Sequence, residues 1–322
     1  MADSSTKHPF EVWLEHQETE GMARRQSRLA GLNTPADVAE WAQQARQWYR
    51  DRVGAPIPTP NPRRPERVGA IERVGYRVEK WLFDVMPGTV TAANLYIPND
   101  PNPAGLGIVA PVGHWAQGKA NVFYQDLGGY MARNGVALLV YDHAGLGERR
   151  EFWARVLNEP LLGESPTNEH DRTGDVATLA GVQPSRFYLT EALVARAFLA
   201  TFPFVKPGRI GVTGASGGAT LTRFAAAYDD DWAFAIPACI IRGEHVIGGG
   251  DAEQCCWGSG ARGVAPVDLL ATMVPRPVMI ISEPPYDGAA VSFATLKRID
   301  ELGGAPDAAE FFAIYDEHGY TH

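Results

Sequence analysis

Arg209-Ile210-Gly211-Val212-Thr213 is a short apolar run that leads without a break into Gly214-Ala215-Ser216-Gly217-Gly218. A strand that meets Gly-x-Ser-x-Gly has few ways to continue. The glycines permit the close backbone approach and unusual dihedrals of a sharp turn, and residues 219–227 read as a helix behind it. Such a strand-turn-helix lifts a serine side chain clear of the sheet and aims the following backbone N–H groups at the same point. Ser216 is therefore the candidate nucleophile; the alternative is a glycine-rich turn that carries a serine by chance. Either way, the segment demands a sheet whose strands are followed by helices.

The rest of the chain supplies that alternation. Residues 107–111 and 136–141 are short, continuous apolar runs, as expected of central strands covered on both faces. A helix is predicted around 121–134 and another over 187–202, with further strands at 232–237, 277–282 and 310–315. Residues 76–85 and 90–97, joined by Pro87-Gly88, read as an antiparallel pair. Before them, 8–53 reads as helical, with Thr34-Pro35-Ala36-Asp37 as a helix start and Val38, Trp41, Ala42, Ala45, Trp48 and Tyr49 on one face. Pro56 to Pro65 reads as an extended linker. The expected fold is α/β: a doubly wound, mostly parallel sheet with an N-terminal helical extension. Its domains would be 1–68 (extension and linker) and 69–322 (catalytic domain). Two stretches, about 146–185 and 242–266, break the alternation at the carboxyl ends of strands and are expected to form the walls and roof of a pocket.

Charge narrows the partners. With 29 Lys+Arg against 38 Asp+Glu, the formal net charge is −9, which argues against nucleic acid or an anionic membrane surface. No apolar run reaches the length of a membrane span, and the first ten residues lack the apolar core of a secretory signal, so the expected location is cytoplasmic. The three cysteines, Cys239, Cys255 and Cys256, are too few for a disulfide framework. Adjacent Cys255-Cys256 reads as packing beside Trp257, no Cys/His cluster has zinc-ligand spacing, and neither metal nor cofactor is expected.

A serine nucleophile needs a base, an orienting acid and oxyanion donors. His318, just past the last apolar strand, is the candidate base, because the doubly wound topology delivers its histidine there; His322 is the runner-up. Asp287, past the strand at 277–282, is the candidate acid. Glu283 is its rival, and Glu244, Asp251 and Glu253 are further alternatives. The oxyanion donors are the N–H groups of Gly217 and His114, the latter in the loop after 107–111, where a side-chain role for His114 is the lesser reading. Asp142-His143-Ala144-Gly145-Leu146-Gly147 reads as a tight glycine turn with a structural aspartate. Trp115, Tyr286 and Trp257, with Trp153, lie on loops at the expected pocket edge and are the candidate substrate contacts.

With these residues assembled, the chain resembles the α/β-hydrolase superfamily, and within it the dienelactone-hydrolase and acetyl-xylan-esterase-like branch. The likeness rests on Gly113-His114-Trp115 with Gly118-Lys119, Tyr141-Asp142 with Gly145-x-Gly147, and Arg209 to Gly218. It extends through Asp251-Ala252-Glu253-Gln254, Pro275-Arg276-Pro277 and His318-Gly319-Tyr320. The resemblance implies a cofactor-independent serine esterase acting on a small or carbohydrate-linked acyl ester, with Ser216 as nucleophile, His318 as base and His114 and Gly217 at the oxyanion. A serine peptidase or amidase on the same fold is the nearest alternative, and a non-catalytic binding protein is the other. Val112 stands where the branch has a first histidine. The sequence stops four residues after His318, where related hydrolases continue into a helix. The expectation is a homodimer that covers this surface, or a longer protein, with His318 loosely held.

Overall fold

The computed structural model describes residues 8–57, 63–163, 165–239, 254–283, 288–315 and 318–320. The helical N-terminus is two helices, α1 (Pro9–Ala30) and α2 (Pro35–Val53). The predicted start of α2 is present. The Asp37 N–H donates to Thr34 Oγ1 at 3.2 Å and the Thr34 N–H to the Asp37 carboxylate at 2.8 Å, satisfying two otherwise unpaired donors. Val38, Ala42, Tyr49 and Val53 are the buried stripe of α2, repeating at helical spacing.

Three antiparallel strands follow: β1 (Arg63–Arg73), β2 (Tyr76–Met86) and β3 (Thr89–Pro98). β1 begins inside the stretch read as linker. Its sequence is charged and largely exposed because it is the sheet's outer strand, where charged side chains discourage pairing with another chain. The chain then alternates through β4 (Gly107–Pro111), α3 (Val122–Arg133) and β5 (Ala137–Tyr141). After an insertion come α5 (Ser185–Leu199), β8 (Ile210–Ala215), α6 (Gly217–Tyr228) and β9 (Ala235–Ala238). Two short helices, α7 (Ser259–Arg262) and α8 (Pro266–Ala271), precede β10 (Val278–Ser282), α9 (Ala289–Leu302) and β11 (Ala309–Ala313).

The sheet order is β1-β2-β3-β5-β4-β8-β9-β10-β11, antiparallel as far as β5 and parallel from β5 onward. The expected doubly wound, mostly parallel sheet is therefore present. Alternate residues of each central strand serve opposite layers: Ile108, Ala110, Leu138 and Val140 pack with Tyr124 and Leu127 of α3. Val109, Leu139 and Tyr141 join Phe198, Ala225, Leu270 and Leu296 on the other face. Winding reverses between β4 and β8, and the carboxyl edge at such a reversal is the topological position at which open α/β sheets bind ligands.

The insertion between β5 and α5 is not structureless. It carries a two-stranded hairpin, β6 (Trp153–Ala154) with β7 (Glu159–Pro160), and a helix, α4 (Pro166–Leu179). α4 has few apolar residues for a periodicity to show. It is held by polar bonds instead: Arg150 Nε donates to Glu169 at 2.8 Å, as does the Glu151 N–H, and His170 Nε2 lies 2.9 Å from the Ala144 carbonyl. Of the second expected insertion, 242–253 lies outside the described residues; the remainder holds α7 and the start of α8. α1 is tied to the body by Arg25, whose guanidinium grips the Asp268 carboxylate at 2.8 Å, both side chains buried. No helix among the described residues is long and apolar enough to cross a membrane.

Candidate active site

Ser216 stands between the end of β8 and the first turn of α6, with φ 58° and ψ −122°. A non-glycine residue at positive φ is strained by roughly 1–3 kcal/mol and persists only where surrounding bonds hold it. Those bonds are present. The Ser216 N–H donates to Ala238 O at 2.9 Å, and the N–H groups of Ala219 and Thr220 return to Ser216 O at 2.9 and 3.3 Å. The strand and helix on either side thus force the serine into the turn that its flanking glycines allow. Gly217 opens α6, where a backbone N–H has no acceptor within the helix.

The loop after β4 lies directly against this turn. A Cβ on Gly218 would fall 2.4 Å from the Pro111 carbonyl oxygen, so only glycine admits the approach. That brings 111–115, with His114, beside the N-terminus of α6. The loop is fastened from behind. The Gly113 N–H donates to Tyr124 OH at 2.6 Å, and the Trp115 N–H to Gly113 O at 2.7 Å. Further on, Asp142 accepts from the Lys119 N–H at 2.7 Å, from Lys119 Nζ at 2.6 Å and from the Glu148 N–H at 3.0 Å. Asp142 is fully buried and is the structural aspartate of a glycine turn, as its sequence suggested. Burial works to lower the Lys119 ammonium, but Asp142 and Glu148 outweigh it and hold it above its ordinary value.

His318 enters from the loop after β11. Its Nδ1 lies 2.5 Å from Glu283 Oε2, the residue just past β10, and its ring stands 6.0 Å from that of Trp115. The two residues that follow anchor it. Gly319, at φ 150°, packs so closely on Phe123 that a Cβ would meet the ring at 2.4 Å. Tyr320 stacks on Phe123 at 5.0 Å and places its hydroxyl 2.5 Å from Thr213 Oγ1 on the nucleophile strand. Burial pushes the Tyr320 phenol well up, so it stays a neutral hydrogen-bonding group. Phe123 in turn stacks on Trp115 at 5.1 Å, and one aromatic layer therefore joins the loop after β4 to the loop of His318.

Ser216, Gly217, His114, Trp115 and His318 thus all lie on the carboxyl edge of the sheet, on the loops or turns after β4, β8 and β11. Glu283, the rival acid, is the carboxylate seen on His318. Asp287 and Tyr286 lie outside the described residues, as do Glu244, Asp251, Glu253 and His322. Trp257 is half-buried, its N–H donating to Gln183 Oε1 at 3.3 Å, and Trp153 sits partly exposed on β6. Sequence reasoning assigned no role to Phe123, Thr213 or Lys119; Gly118-Lys119 was visible only as part of a motif. A groove of about 600 Å³ between α2 and the 272–276 turn lies elsewhere, lined by Val38, Arg46, Arg276 and others but by none of the candidate residues.

A serine in a strained strand-to-helix turn, on a mostly parallel sheet with a histidine loop after its last strand, defines the α/β-hydrolase fold, and this chain has it. Solved structures agree. An acetyl xylan esterase, provisionally so assigned, from Bacteroides fragilis superposes with a TM-score of 0.72 at 14% identity, covering 98% of this chain and 84% of that one. A methylesterase matches with a TM-score of 0.71 at 21% identity over 94% of this chain, which spans 65% of the methylesterase. A glucuronoyl esterase from Solibacter usitatus matches at 0.60 and 13% identity, covering 86% and 87% of the two chains. No family model and no curated protein matches the sequence.

Proposed function

We propose that this protein is a serine-dependent carboxylic ester hydrolase acting through an acyl-enzyme. The single observation that carries the reading is the Ser216 backbone, strained into a nucleophile turn directly beneath the loop of His114. In this reading Ser216 Oγ attacks the ester carbonyl and His318 takes its proton at Nε2, because Nδ1 is committed to Glu283. The N–H groups of Gly217 and His114 receive the charge that develops on the carbonyl oxygen. His318 then returns the proton to the departing alcohol, and water activated by the same imidazole releases the acid. The 2.5 Å contact supports Glu283 as the group that fixes the imidazole tautomer; Asp287 is the competing carboxylate. The structural neighbours are esterases whose names give acetyl xylan, methyl and glucuronoyl specificities, which favours a small or carbohydrate-linked acyl ester as substrate. Trp115 on its loop beside His318 would offer an aromatic face to such a group.

Ser216→Ala is expected to abolish fluorophosphonate labelling and to lower hydrolysis of a short-chain nitrophenyl ester by about 10⁴-fold or more. Glu283→Gln should cost on the order of 10³–10⁴ in kcat with little change in KM, and Asp287→Asn far less. Retained labelling in Ser216→Ala, or clear preference of the intact protein for peptide anilides over esters, defeats the proposal. A larger loss in Asp287→Asn than in Glu283→Gln transfers the acid to Asp287.

A further inference from the structure

Three adjacent parallel strands end at one place. Ala238, the last residue of β9, pairs with Ile281 of β10, and Ser282, the last of β10, pairs with Ala313 of β11. The residues that follow, Cys239 and Glu283, therefore emerge side by side, and the loop after β11 brings His318 over them. One ligand atom from each of Cys239, Glu283 and His318 lies within 4.8 Å of the other two. Cys239 is held at φ 62°, with its N–H on Ile281 O at 2.8 Å and its Sγ donating to Gly319 O at 3.2 Å. Its thiol thus faces the histidine loop from below, buried, while the His318 side chain is 43% exposed and gives a hydrated ion a way in.

A thiol, an imidazole and a carboxylate form a donor set that suits zinc. Bonds of about 2.3 Å to sulfur and 2.0–2.2 Å to nitrogen and oxygen put tetrahedral ligand atoms about 3.3–3.8 Å apart. Small side-chain rotations reach that spacing, with water as fourth ligand. We propose that Cys239, Glu283 and His318 form a binding site for a zinc-class divalent cation that switches the esterase off. The regulatory half of this rests on the reading of His318 as the base.

Binding forms Zn–S, Zn–N and Zn–O bonds and sends the Cys239 thiol proton to solvent. The Nδ1–H···Oε2 bond is broken as the ion inserts. The proton leaves Nδ1 and the ring takes one at Nε2, so the imidazole stays neutral but can no longer accept a proton from Ser216. One proton is released per ion.

Cobalt(II) titration of the full reduced chain tests the site without reference to turnover. The expected result is a thiolate-to-cobalt charge-transfer band that saturates at one ion per chain, with chelator-reversible zinc inhibition of nitrophenyl acetate hydrolysis in parallel. Cys239→Ala, and Cys239→Ser should the alanine variant misfold, should lose the band. Each should raise the zinc concentration for half inhibition by on the order of 100-fold, measured against its own metal-free rate, since even outer partners of a metal site are worth 10–100-fold. Absence of the band in the parent protein, or a band and inhibition unchanged in both variants, overturns the site. A Cys239-dependent band in a protein with no esterase activity upholds the site and overturns its regulatory role together with the esterase reading.

Discussion

Lys119→Met removes a buried cation while keeping the length of the side chain. The Lys119 side chain is 8% exposed and its Nζ lies 2.6 Å from Asp142, which has no exposure at all. Taking one partner from a buried pair costs about 3–5 kcal/mol, because the remaining charge is left without compensation. Asp142 keeps two backbone donors, at 2.7 and 3.0 Å, so the lower end, about 3 kcal/mol, is expected. The clamp also joins the loop of His114 to the turn after β5. In the proposed mechanism, a displacement of the His114 N–H by about 1 Å would cost up to roughly 10²-fold in kcat. Urea unfolding at pH 7.5 measures the first effect and ester kinetics the second. Asp142 is already raised by burial, and without Lys119 it is raised further. A carboxylate whose folded value exceeds its unfolded one loses stability as pH rises between the two. The deficit of Lys119→Met should therefore shrink as pH falls towards the acid range. Lys119→Met/Asp142→Asn, which leaves no buried charge without a partner because the other partner, Glu148, is exposed, should recover most of the loss. A single variant that costs less than about 1 kcal/mol, or a double variant no better than the single, refutes the argument.

Two further predictions concern stability. Asp300 on α9 is 2% exposed, its Oδ2 meets no hydrogen-bond partner among the described residues, and burial pushes its carboxyl from 3.8 up to about 7. Asp300→Asn should therefore be nearly neutral at pH 4, gain stability from pH 4 to 7 and hold a constant gain above. The full linkage of about 4 kcal/mol is halved to about 2 for water that reaches the group on relaxation; thermal melts across pH check it, and a flat difference is the contrary result. Gly218→Ala should cost about 1–3 kcal/mol through the clash with Pro111 O and lower ester turnover by moving the loop of His114 from α6; unchanged melting and turnover would contradict the close approach.

Much of the fold is legible because its signals are local. The apolar runs at 107–111 and 136–141 name buried parallel strands, and Thr34-Pro35-Ala36-Asp37 carries its own capping chemistry. β1 and α4 are less legible because neither buries a periodic apolar face. β1 is an outer strand, and α4 is held by Arg150, Glu169 and His170 through bonds to a distant loop. The acid is illegible for another reason. Two carboxylates, Glu283 and Asp287, follow β10 within a few residues, and composition does not say which one meets an imidazole some thirty residues further on.

Residue order alone determined the alternating α/β architecture, the turn at Ser216 and the position of His318 after the last strand. Each is set by backbone constraints within a few neighbouring residues: glycine where a side chain would clash, apolar runs where both faces are covered. Tertiary structure decided which groups meet. The pairing of Glu283 with His318, the clamp of Lys119 on Asp142 and the thiol of Cys239 beneath the histidine loop all join segments far apart in sequence. No spacing rule reaches them: the parallel pairing of β9, β10 and β11 brings Cys239, Glu283 and the histidine loop together, that of β4 and β5 aligns the ends that lead to Lys119 and Asp142, and both pairings are set by burial over the whole sheet.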